Sequence, residues 1–157
     1  MDSPEFRRIL GHWASGVSIV TTCDADGRPC GLTANAVTSL SLDPLLVLVC
    51  VEKNADTHDC IRRTRAFAVN ILASEGERVA RRFAAWEVDR KFDGLAYHAE
   101  QTGSPVLEDA LAWIDCRVHT EYEGGDHTIF IGEVVAGDAV EGAPLLYYRG
   151  GYGRFTP

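Results

Sequence analysis

A row of small polar side chains is the first candidate for chemistry in this sequence. Thr33, Asn35, Thr38 and Ser39 are interleaved with Ala34, Ala36 and Val37, just before the apolar run at 45–51. Small residues on a strand let a flat ligand lie close to the backbone. Hydroxyls, an amide and free N–H groups can then bond the ligand's polar edge. The row also fits the polar outer face of an edge strand, and the segment alone leaves both readings open. His127 is the second candidate. It follows Gly124, Gly125 and Asp126 and opens an alternating run. A histidine there is either an exposed hairpin residue or a ligand-facing donor. His12, His58, His98 and His119 share no metal-ligand spacing and are read as non-functional. Cys23, Cys30, Cys50, Cys60 and Cys116 are odd in number and form no C-x-x-C pair, which argues against a disulfide framework or a zinc site. They read as reduced core thiols of a cytoplasmic protein.

Charge narrows the class of partner. Lys and Arg number 15 against 23 Asp and Glu, a net charge of −8, which excludes nucleic acid and anionic membrane as expected partners. Residues 53–91 nevertheless hold nine Lys or Arg and only six acids. Such a segment suits a small phosphorylated ligand, although most of the nine read as solvated helix faces. The 157 residues suggest one domain over 1–157. A chain of this size buries about 70% of its unfolded surface without staples. No apolar stretch is long enough to span a bilayer, and the first residues carry no apolar signal-peptide core.

Periodicity gives the elements that must position these residues. Phe6, Ile9, Leu10 and Trp13 have helical spacing before Gly16. "VSIVTTC" is β-rich and "DADGRP" turns. "CGLTANAVTSLSL" reads as one returning strand. "LLVLVCVE" is apolar on both faces and therefore reads as central. "NADTHDCIRRT" reads as a helix capped by Asp56 or Thr57, and "AFAVNIL" as a strand. "SEGERVARRFAAW" reads as a helix with a Ser74–Glu77 capping box. Residues 91–110 read mostly as loop, with a short strand near 95–99. "LAWIDCRVHTEY" alternates, with Ile114, Cys116 and Val118 on one face and Asp115, Arg117 and His119 on the other. "HTIFIGEVVAGDAV" is its hairpin partner, and "APLLYYRGGYGRF" gives a last strand. Trp13, Trp86 and Trp113 have the spacing of packing residues and are expected in the core. This order suggests a closed antiparallel barrel or a sandwich. There is no G-x-G-x-x-G dinucleotide fingerprint and no P-loop.

The chain as a whole resembles the short-chain flavin reductases of the FMN-binding split-barrel superfamily, the reductase components of two-component flavin monooxygenases. The resemblance rests on "FRRILGHWASGVSIVTT", "GLTANAVTSLSLDPLLVLVCVEK", "FAVNIL", "RRFA", "KF", "GSPVLEDALAWIDCRV", "GDHTIFIGEVV" and "PLLYYRGGYGRF", in that order. It implies a mainly β fold with flanking helices: a homodimer of six-stranded antiparallel Greek-key split barrels. It also implies FAD or FMN as cofactor, NADH or NADPH as co-substrate, and a monooxygenase that receives the reduced flavin. A chain this short leaves no room for an oxygenating domain.

By the same resemblance, Thr33, Ala34, Asn35, Ala36 and Ser39 lie along the isoalloxazine ring. Cys50, Val51, Glu52 and Lys53 meet its edge and the ribityl chain. The phosphates fall near Asp56 and Thr57, where helix N–H groups are free. Arg82, Phe83, Ala84, Arg90, Lys91 and Phe92 close over the rest. His127 stands beside the nicotinamide as the catalytic candidate, and Tyr152 either stacks there or packs its strand. Transfer between the two rings needs the reacting atoms about 3–3.5 Å apart and aligned, so positioning is the catalysis. Two other readings remain on the same barrel: a pyridoxamine-phosphate-oxidase-like enzyme and a non-enzymatic flavin or haem carrier. No His, Cys or Met stands out as a haem ligand.

Overall fold

The computed structural model describes residues 1–85 and 90–156; Trp86 lies outside them. Seven strands form the main sheet: β2 (Ser18–Cys23), β3 (Pro29–Ala34), β4 (Val37–Leu42), β5 (Leu45–Glu52), β6 (Ala66–Leu72), β9 (Ala110–Gly124) and β10 (His127–Ala139). Their order is β3-β2-β6-β9-β10-β5-β4, and every neighbouring pair is antiparallel. The expectation of six strands is thus corrected to seven, and the hydrogen-bonded ladder does not close on itself.

The extra strand comes from the small polar row. Residues 30–42 are not one strand. Thr33 pairs with Ile19 on β2, whereas Val37 pairs with Val49 on β5. The break falls at Asn35 and Ala36, so β3 and β4 become opposite edges of the sheet. Three Cα steps join those edges, a span of at most about 11 Å. The sheet therefore curls until its edges meet. Val20, Ala34, Val47, Val49, Val51, Phe67, Val69, Cys116 and Phe130 fill the enclosed core, with Ile61 from α2 (Asp56–Thr64).

β5 is not covered on both faces within the chain. Val47, Val49 and Val51 are buried, while Leu46, Leu48 and Cys50 are only half-buried. Leu40, Leu42 and Leu45 nearby are exposed at 48%, 86% and 53%. α1 (Ser3–Leu10) is amphipathic as expected, yet it buries no residue, and Trp13 is exposed rather than core. Trp113 is half-buried beside His98.

Several local expectations change. Ala55, not Asp56 or Thr57, caps α2, and it supplies no side-chain bond. α3 (Glu77–Ala84) starts after Gly76; Ser74 donates to Glu75 at 2.6 Å instead of forming a capping box. The terminal stretch is a hairpin, not one strand. β11 (Leu145–Tyr148) and β12 (Gly151–Arg154) join through Arg149 and Gly150, both at positive φ, as a type I′ turn requires. With β1 (Ser15–Gly16) they make a separate sheet. The 91–110 segment holds β7 (Tyr97–Ala99) paired with β8 (Pro105–Leu107). Asp115 leaves the polar face assigned to it. It is fully buried and accepts from Thr102 N at 2.8 Å and from the Thr102 hydroxyl.

Asn70 ties β8 onto the main sheet. It is fully buried on β6. Its amide donates to Ile19 O at 3.1 Å and Thr21 Oγ1 at 3.0 Å, and its Oδ1 accepts from Leu107 N at 2.8 Å. Replacing Asn70 with Leu keeps the volume and leaves these groups unpaired. Urea denaturation of Asn70→Leu is expected to show a loss of about 1–3 kcal/mol per stranded group. An unchanged midpoint would show that water replaces the amide.

Candidate active site

The curl leaves a cleft of about 420 Å³ between β3, the end of β5, the start of α2 and the end of α3. Its floor is β3 itself. Gly31 is needed there, because a Cβ would stand 2.7 Å from the Phe83 ring. Thr33 lines the floor, but its hydroxyl donates to Ala80 O at 2.6 Å and so anchors α3. Asn35 and Ala36 line the seam and are exposed. Ala36 O accepts from Cys50 N at 3.0 Å. The Asn35 side chain has no hydrogen-bond partner among the described residues. Its amide is thus free to meet a ligand's polar edge.

Cys50, Glu52, Asp56 and Thr57 form one wall. Burial pushes the Cys50 thiol above its ordinary value. With no side-chain cap on α2, its first N–H groups are open to an anion. The Asp56 carboxylate already occupies that first turn. Lys91 offsets it across the cleft, donating to Gly31 O at 3.3 Å and Phe83 O at 3.2 Å. Desolvation lowers the Lys91 pKa, and Asp56 partly restores it. Phe83 and Phe92 cover this end, edge to face at 4.9 Å, with Ala84 beside them.

His127 closes the other end, opposite Glu52 in the ladder. Its Nδ1 lies 2.7 Å from Asp126 Oδ1, and that bond holds the Asp126 carboxyl below the usual range. Nε2 has no protein partner among the described residues. A second cleft of about 200 Å³ adjoins the first across Thr33, Asn35 and Ala84, which line both. Val17, Tyr147 and Tyr152 complete it. The Tyr rings meet at 5.4 Å, and Arg81 lies 5.0 Å from the Tyr152 centroid.

Six expected site residues fall outside the main cleft. Ser39 is on the exposed face of β4. Val51 points into the core and is fully buried. Lys53 pairs with Glu123 and donates to Gly125 O at 2.7 Å, so it braces the His127 turn. Arg82 donates to Asp93 O at 2.7 Å and straps α3 to the following loop. Arg90 is exposed away from the lining, and Tyr152 belongs to the second cleft. Pro29, Cys30, Gly31, Leu32, Asn54 and Ala55 line the cleft without having been singled out. Gly31 carried the available signal, a glycine inside a strand.

A flavin reductase like domain matches residues 10–156, and the chain belongs to that family. It is 48% identical to the reductase component of 4-nitrophenol 4-monooxygenase/4-nitrocatechol 2-monooxygenase from Rhodococcus opacus, over 100% of this chain and 83% of that protein. A nitrilotriacetate monooxygenase component B homologue from Mycobacterium thermoresistibile superposes with a TM-score of 0.94 at 39% identity, covering 99% of this chain and 88% of that one. The Streptomyces globisporus NADH:FAD oxidoreductase in complex with NAD and FAD fragments gives a TM-score of 0.91 at 39% identity, covering 99% and 94%.

The bracing role of Lys53 is separable from ligand contact. Exposed ion pairs contribute at most about 1 kcal/mol, so Lys53→Met is expected to melt as the parent does. Amide exchange at 124–128 should accelerate while flavin affinity holds. A collapse of flavin affinity would assign Lys53 to the ligand instead.

Proposed function

We propose that the protein is an NADH-dependent flavin reductase that acts on FAD and passes the reduced flavin to a separate flavin-dependent monooxygenase. The observation that carries this reading is a shelf with two sides. Thr33, Asn35 and Ala84 line both a larger cleft and a smaller aromatic one, so two ligands held there would lie against the same rib. The larger cleft fits a flavin: a flat floor of small residues, a free amide at the seam, aromatic cover and an uncapped helix start for phosphate. A bound flavin supplies a ring that accepts two electrons from a nicotinamide.

The chain's own residues act by placement. Asn35 offers both donor and acceptor to the ring's polar edge. Asp126 fixes the His127 ring through Nδ1, which leaves Nε2 to orient the nicotinamide. Phe83 and Phe92 exclude water from the phosphate end. Tyr152, stiffened by Tyr147 and Arg81, offers a stacking face in the second cleft. Relatives named as an NADH-dependent FAD reductase and as monooxygenase reductase components support the choice of NADH, FAD and partner. Residues 1–157 act as one reductase unit, and free cysteines support a cytoplasmic setting. Among the described residues no helix is long and apolar enough to cross a membrane.

A steady-state assay of NADH and NADPH against FAD and FMN tests the reading, and no oxidation of either nicotinamide with added flavin would overturn it. Two variants separate the two sides of the shelf. Asn35→Leu should weaken flavin binding by about 1–3 kcal/mol. His127→Ala should raise KM for NADH and lower kcat, with flavin affinity intact. Stopped-flow flavin reduction as fast as the parent's at every NADH concentration would remove His127 from the site.

The protein functions as a homodimer. Leu40, Leu42 and Leu45 form an exposed apolar patch near the turn of the β4–β5 hairpin, which a second copy would cover. Light scattering during size exclusion at micromolar concentration should give twice the chain mass. A monomer alone would refute the dimer and leave the patch unexplained.

A further inference from the structure

Two thiols meet at the cleft wall without a part in the chemistry above. Cys30 is on β3 and lines the floor. Cys60 is in α2, one turn beyond Thr57 of the opposite wall. Their Sγ atoms are 2.8 Å apart, one thiol donating to the other. Both are free thiols. Cys60 is 7% exposed, and Cys30 is half-buried, so a small molecule in the cleft meets Cys30 first. An S–S bond is about 2.05 Å long, so bonding needs less than an ångström of sulfur movement. The other cysteines have no such arrangement: Cys23 Sγ meets Gly103 O at 3.6 Å, and Cys116 is sealed in the core.

We propose that Cys30 and Cys60 are a reversible dithiol–disulfide site oxidised by hydrogen peroxide, and that the disulfide draws β3 toward α2 and narrows the cleft. The second half rests on the flavin reading above. The Cys30 thiolate attacks one peroxide oxygen; the S–O bond forms, the O–O bond breaks, and the departing hydroxide takes a proton to leave as water. Cys60 Sγ then attacks the Cys30 sulfenic acid. The S–S bond forms, the S–O bond breaks, and a second water leaves with the Cys60 proton. Two thiols and one peroxide thus give one disulfide and two waters. The oxidant is close by, since dioxygen that meets reduced flavin in solution yields hydrogen peroxide. Burial, and then the neighbouring thiol, push the Cys30 thiol up. Cys30 is therefore slow to react at neutral pH, and its oxidation accelerates as pH rises toward the thiolate.

The test starts with the whole chain, free of flavin, treated with hydrogen peroxide and mapped by non-reducing peptide mass spectrometry. A Cys30–Cys60 cross-link is expected, removed by dithiothreitol and absent from Cys30→Ser and Cys60→Ser. The parent map decides alone should either variant fail to fold. Oxidation of other cysteines with no Cys30–Cys60 link overturns the site. FAD titration of the linked protein should then show about tenfold weaker binding, restored by dithiothreitol. Equal affinity in both forms overturns the coupling to the cleft. A cross-link in a protein that binds no flavin in either form supports the disulfide and refutes the flavin reading instead.

Discussion

Two residues hold the ends of the sheet together. Asn35 and Ala36 join β3 to β4, which the ladder places at opposite edges. A link this short cannot reach across an open sheet, so curvature is imposed covalently rather than by closing the hydrogen bonds. The core inside the curl follows, since Val20 and Ala34 from one end must pack with Val47 and Val49 from the other. The site follows too. Backbone at a seam between edges lacks ladder partners on one side, and a ligand with a polar rim can take their place. The cleft floor is therefore a by-product of the way the sheet curls.

The basic segment at 53–91 serves mainly as rigging. Arg62 and Arg65 both grip Glu121, at 3.1 and 2.6 Å. Lys53 braces the turn before His127, and Arg82 straps α3 to the loop that carries Phe92. Each contact is exposed and adds little to global stability. Their effect is local: the two arginines tie the end of α2 to β9, while Lys53 and Arg82 each fix a loop beside a cleft residue. Lys91 alone of these brings its ammonium into the cleft, and it does so half-desolvated against two carbonyls.

Strand alternation was readable wherever one face meets the core and the other meets water. Cys116 in the core and Arg117 and His119 at the surface of β9 show this, whereas the run at 45–52 reads as apolar on both faces. The break at Asn35 was not readable, because both halves of 30–42 favour extended backbone and only pairing partners distinguish them. Asp115 was misplaced for a related reason. Its charge pointed outward by pattern, but Thr102, in the turn between β7 and β8, supplies two donors that make burial tolerable. The cleft was found through Thr33, Asn35 and His127. Lys53, Arg82 and Arg90 stand outside the cleft lining, and charge marks a residue as polar without showing which partner it faces.

The aromatic wall of the second cleft belongs to a hairpin outside the main sheet. Tyr147 and Tyr152 sit on β11 and β12, which among the described residues pair only with each other and with β1. Beyond that, an isolated bridge from Ala73 to Pro144 and a bond from Arg149 N to Gly11 O tether the unit. Leu145 of the same hairpin is buried against Val17, Ile19, Leu72 and Phe83, so the hairpin also carries part of a second core. The exposed turn at 148–151 can vary without disturbing either core, whereas Leu145 cannot, so the ring faces of Tyr147 and Tyr152 rest on a core separate from the one that Asn35 and Ala36 enclose.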